Sequence, residues 1–77
     1  MGNNHQYRDL ADYCKRTGAK RIHVARHLGV SRFQFAGLQA PALYPVPQLS
    51  SDLGNAISAL LGQTPAYVRA YYRKAAA

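Results

Sequence analysis

The chain has 77 residues, with ten Lys or Arg against three Asp and a formal net charge of +7. A chain of this length folds to roughly 4,700 Å² of surface and buries about 62% of what it exposes unfolded, enough for one modest core but not for a catalytic domain with a deep cleft. Apolar residues make up 48%, so the charge belongs to a globular domain and not to a basic disordered tail.

The first six residues are polar and are expected to form a frayed tail. Residues 7–17 predict a helix, because Leu10, Tyr13, Cys14 and Thr17 recur at three- and four-residue spacing. Asp9 and Asp12 stand near its start and Lys15 and Arg16 in its last turn, each suiting the helix dipole, and Gly18 is a natural stop. Residues 20–28 predict a second helix with Ile22, Val24, Ala25 and Leu28 as the buried stripe and Gly29 as its end. Ser31 is a good N-cap for a short third helix over 32–38. Pro41, Pro45 and Pro47 then forbid a continuous helix, so 39–47 reads as a semi-rigid loop of polyproline character. Ser50 or Ser51 caps a fourth helix ending at Leu61, with Leu49, Leu53, Ile57, Leu60 and Leu61 inward. Thr64 followed by Pro65 starts a fifth helix over 65–74, and 75–77 is a tail. No strand signal competes, and the expected class is all-α with five helices.

The charge is unevenly placed. Residues 8–32 hold seven cations and two anions, 33–68 hold only Asp52, and 69–77 hold three cations. A solvated surface usually mixes both signs; this imbalance favours an anionic partner. The single Cys14 excludes an intrachain disulfide framework and points to a reducing compartment. No run of 18 apolar residues can span a membrane. The start lacks an apolar signal core and the Ser or Thr that a myristoylation motif needs.

The stretch 24–35 is the most informative. Ala25 is small where a second helix must cross the first. Gly29, four residues later, accepts the positive φ of a tight turn. Val30 plugs the space beneath the turn, and Phe35 and Leu38 turn inward ten and thirteen residues after Ala25. The plain alternative is a helical hairpin in a small bundle, but cations flank this stretch. With one helix before it and two after, it resembles the helix-turn-helix (about 21–39) of lambda-repressor-like, Cro/C1-type domains of phage and plasmid regulators, over roughly 7–72. The 39–47 loop is longer and more apolar than usual there. A winged variant needs a β-hairpin after the third helix, and no Asn-Gly or Asp-Gly turn offers one.

The resemblance implies that the third helix enters the major groove of double-stranded DNA with its N-terminal half on base edges. Its outward residues are then Ser31, Arg32, Phe33, Ala36 and Gly37, with Gln34 at the margin. Arg32 suits guanine, Gln34 adenine and Phe33 a thymine methyl. Ala36 and Gly37 allow close approach. So few polar readers imply a share of shape readout. Backbone phosphates fall to Lys20, Arg21, His23, Arg26 and His27, and to Tyr44 in the following loop. Tyr67, Val68, Tyr71 and Tyr72 on the fifth helix suit a homodimer interface, so that two copies read half-sites about 34 Å apart. A membrane-surface reading of Arg69, Arg73 and Lys74 beside these tyrosines is weaker, because the apolar face is short and polar.

No enzymatic activity is expected, since the chain has no Glu, no nucleophile–base pairing and no phosphate loop. His23 and His27 stand at metal-binding i, i+4 spacing, but no second Cys or nearby carboxylate completes a site; no metal, cofactor or small-molecule ligand is expected. Cys14 reads as core. The leading function is a sequence-specific transcriptional regulator, a Cro-like repressor in the cytoplasm of a bacterium or encoded by a phage. The alternatives are an excisionase-like DNA-architectural accessory factor and a protein-binding module that docks another regulator.

Overall fold

The computed structural model describes residues 6–76. Five helices and no strand appear among them: α1 (Leu10–Thr17), α2 (Arg21–Leu28), α3 (Arg32–Gln39), α4 (Ser51–Leu61) and α5 (Pro65–Ala76). The all-α, five-helix expectation holds. The tail at 1–5 and Ala77 lie outside the described residues. No helix among the described residues is long and apolar enough to cross a membrane.

Local chemistry sets most of the boundaries. Asp9, Ser31 and Ser50 cap α1, α3 and α4, each side chain accepting a backbone N–H three residues on. Thr64 does the same for α5, its hydroxyl accepting the Tyr67 N–H at 3.1 Å. Gly18, Gly29 and Gly62 end α1, α2 and α4 in the left-handed conformation. α3 runs one residue past the expected 38, and α5 runs two past 74.

α1 is shorter than the expected 7–17. Asp9 is extended (φ −158°) and serves as the cap, so 6–9 is a strap and not a helical turn. Tertiary bonds hold it: the Tyr7 N–H donates to the Leu61 carbonyl at 2.9 Å, and Gln63 Nε2 donates to the Tyr7 carbonyl at 3.2 Å. Donation from the Arg8 N–H, with help from Arg16, holds the Asp12 carboxyl below its ordinary range.

Every helix contributes to one core: Leu10 from α1, Val24, Ala25 and Leu28 from α2, Phe35 and Leu38 from α3, Ile57 and Leu61 from α4, Val68 and Tyr72 from α5. Leu49, Leu53 and Leu60 pack against it half-buried, as does Cys14, whose thiol burial pushes up in pKa. Ile22, expected in the stripe, is 62% exposed. It stands two residues before Val24, about 200° around the helix, so it cannot share that face.

Val68 and Tyr72, expected at a dimer interface, are instead buried within the single chain. Tyr67 and Tyr71 are half-buried, and their hydroxyls donate to the Arg8 carbonyl at 2.9 Å and to Asp9 Oδ2 at 2.8 Å. The aromatic stripe of α5 thus closes the fold and pins the strap. A small core needs every large side chain it has.

The buried Tyr72 hydroxyl donates to the Leu38 carbonyl in the last turn of α3, a group that the helix itself leaves without a partner. Tyr72→Phe should therefore cost about 1–3 kcal/mol in thermal or urea unfolding. Burial pushes the Tyr71 hydroxyl from 10.0 up to about 12, with the Asp9 bond adding to the shift, and burial pushes Tyr72 higher still. Both are neutral in the fold, whereas the unfolded chain ionises them near pH 10. The stability they contribute is complete below about pH 10 and is lost as pH rises toward about 12. Unfolding at stepped alkaline pH should show this fall, and Tyr72→Phe should flatten it.

Candidate nucleic-acid interface

α2 packs on α3 through a three-residue connection, Gly29-Val30-Ser31. Its pivot is Gly29, at φ 73° and ψ 30°, whose N–H bonds back to α2. Val30 follows with its N–H on the Ala25 carbonyl at 3.1 Å. Ala25, Phe35 and Leu38 are buried and Val30 half-buried, as expected for the pair. A Cβ at Gly29 meets nothing within 4 Å, so substitution there is opposed by backbone conformation alone. Gly29→Val should lower stability by about 1–2 kcal/mol, measured as a shift in melting temperature.

Lys20, Arg21, His23, Arg26 and His27 are all exposed. Arg21 lies near enough to Cys14 to offset part of the rise in its thiol pKa, which places it toward α1. His23 and His27 share one face, Ile22 and Arg26 another. Among the described residues no group of three His, Cys, Asp or Glu gathers in a metal-ligand arrangement.

The helix starts differ in charge. α1 and α4 carry Asp12 and Asp52 in their first turns. α2 and α3 carry no acid there. Lys20 occupies the N-cap of α2 without a side-chain capping bond and Arg21 follows it, while Arg32 opens α3. Cations oppose the positive end of a helix dipole, at a cost of a few tenths of a kcal/mol each. Paired helices that both begin this way are poorly matched to themselves and well matched to an external anion.

On α3, Arg32 is exposed and Phe33 is 82% exposed. Phe33 has no place in the core, which Phe35 fills. Ser31 and Gln34 are exposed but partly committed: the Ser31 hydroxyl accepts the Gln34 N–H at 3.1 Å, and Gln34 Oε1 accepts the Ser31 N–H at 2.9 Å. This reciprocal capping box was readable from Ser-x-x-Gln spacing. It leaves the Ser31 O–H and the Gln34 amide N–H free to donate.

Gly37 does not belong to the outward face. It is buried, and a Cβ on it would stand 1.8 Å from the Pro45 carbonyl oxygen. Its missing side chain admits the proline-rich loop, not an external surface. That loop turns sharply, the Leu43 and Tyr44 N–H groups both donating to the Ala40 carbonyl. Tyr44 is exposed at the turn beside Leu43, on the connection leaving α3. Nothing in the local sequence marked the Gly37–Pro45 approach, because the two positions meet only through the loop's return path.

Compared with models of protein families, with curated proteins and with solved structures, the chain matches none.

Proposed function

We propose that this chain is a sequence-specific double-stranded-DNA-binding regulator of the lambda-repressor-like, Cro/C1 type. α3 enters the major groove and α2 crosses the backbone. The observation that carries this reading is the cationic start of both α2 and α3 beside an exposed, otherwise purposeless Phe33. Arg32 reads guanine and Phe33 packs on a thymine methyl. The free Ser31 and Gln34 donors add to readout within the limits of their capping box. Lys20, Arg21, Arg26, His23, His27 and Tyr44 contact phosphates and set the register. Two copies on half-sites about 34 Å apart supply the affinity that one short helix lacks. Their contact uses a surface other than Val68 and Tyr72. A free thiol at Cys14 suits a reducing, cytoplasmic setting.

Selection of duplexes from a random pool tests the reading, and an enriched palindrome is the expected result. Affinity should fall with salt at a log–log slope near −0.9 per neutralised phosphate, or about −2.7 per copy for Lys20, Arg21 and Arg26 together. Absent or salt-independent duplex affinity would overturn the proposal.

A further inference from the structure

Three cations stand apart from the α2–α3 surface: Arg69, Arg73 and Lys74 on α5, all exposed. Among the described residues the one ion pair is Arg16–Asp12, so no carboxylate neutralises them. Arg69 and Arg73 are one helical turn apart and line a surface groove of about 330 Å³ with Tyr72, Val46, Pro47 and Leu49. The loop side presents Val46, Pro47 and Leu49, and the α5 side is cationic. The Arg69 guanidinium passes over Gly54 of α4, 3.8 Å from where a Cβ would stand.

The other wall is the loop leading to α4. Pro45 and Pro47 fix φ there and disfavour the helical region for the residues before them, Tyr44 and Val46. Among the described residues, the N–H groups of Val46 and Gln48 have no intrachain hydrogen-bond partner.

The groove lies at the far end of α3 from Arg32. Tyr72 bonds Leu38 and Pro45 covers Gly37, both in the last turns of α3. A phosphate backbone gains nothing from the apolar loop side. We propose that this groove binds a short, extended acidic segment of a partner protein. Its carboxylates meet Arg69 and Arg73, and an apolar side chain between them rests on Val46, Pro47, Leu49 and Tyr72.

Fluorescence anisotropy of a labelled alternating aspartate–leucine hexapeptide tests this on the intact chain, without DNA, so the outcome is independent of the duplex-binding proposal. Saturable binding is expected, with none for the lysine–leucine counterpart. The double variant Arg69→Gln, Arg73→Gln should weaken the peptide at least about tenfold through loss of charge-assisted bonds, and Arg26→Gln should leave it unchanged. Both arginines are surface residues, and an unaltered melting curve verifies the fold. Absence of saturable binding overturns the proposal. So does equal weakening by Arg26→Gln.

Discussion

Gly37→Ala should destabilise the protein although it replaces glycine inside a helix. By propensity alone the change favours the helix by about 1 kcal/mol. The new Cβ, however, would stand 1.8 Å from the Pro45 carbonyl oxygen and 3.2 Å from the Pro47 ring. The first obstacle is backbone, which cannot rotate away as a side chain can. The loop must lift or α3 must shift, and such overpacking costs typically 1–3 kcal/mol, occasionally more. We expect a net loss of roughly 2 kcal/mol, or a drop in melting temperature on the order of 10 °C for a domain of this size. Gly54→Ala is the matched control. Its Cβ meets only the Arg69 side chain, at an ordinary 3.8 Å, so the helix gain survives and the melting temperature should rise by about 4 °C. Stabilisation by both substitutions would show that the loop does not press on Gly37.

Arg32→Ala should separate function from stability by moving them in opposite directions. Arg32 is exposed at the first position of α3, at the helix end where a cation is unfavourable. Removing it should leave the melting temperature unchanged or raise it slightly. On the preferred duplex the same substitution should lose roughly 1–3 kcal/mol and relax base preference at one position. Arg26→Ala should weaken all duplexes about equally and reduce the salt slope by about one. Competition binding against a panel of single-base variants reads both effects. Equal losses across all sequences for Arg32→Ala would move it from base reading to phosphate contact.

The helix boundaries were legible because caps and stops are local. Ser31, Ser50, Thr64–Pro65 and the glycines at 18, 29 and 62 act on backbone groups within a few residues, so sequence neighbours contain the cause. The inward placement of Ala25, Phe35 and Leu38 was equally legible from spacing. The start of α1 was not, because Tyr7 is held by Leu61 and Gln63, more than fifty residues away. Nor was the exposure of Ile22 legible from its apolar side chain, because residues 22 and 24 stand about 200° apart on a helix and only one of them can face the core.

The candidate interface divides the same way. Sequence alone placed cations at the starts of α2 and α3, a flexible residue between the helices and an aromatic at position 33, since these depend on residue type and short spacing. Tertiary structure decided what the remaining groups do. It turned the tyrosines of α5 inward, because hydroxyls at 67, 71 and 72 find acceptors on Arg8, Asp9 and Leu38 only once α5 returns over the strap and the end of α3. It buried Gly37 under Pro45, and it set Arg69 and Arg73 beside the proline-rich loop. These are long-range juxtapositions: they depend on how the loop and α5 return over the core, and no local pattern of side chains encodes that path.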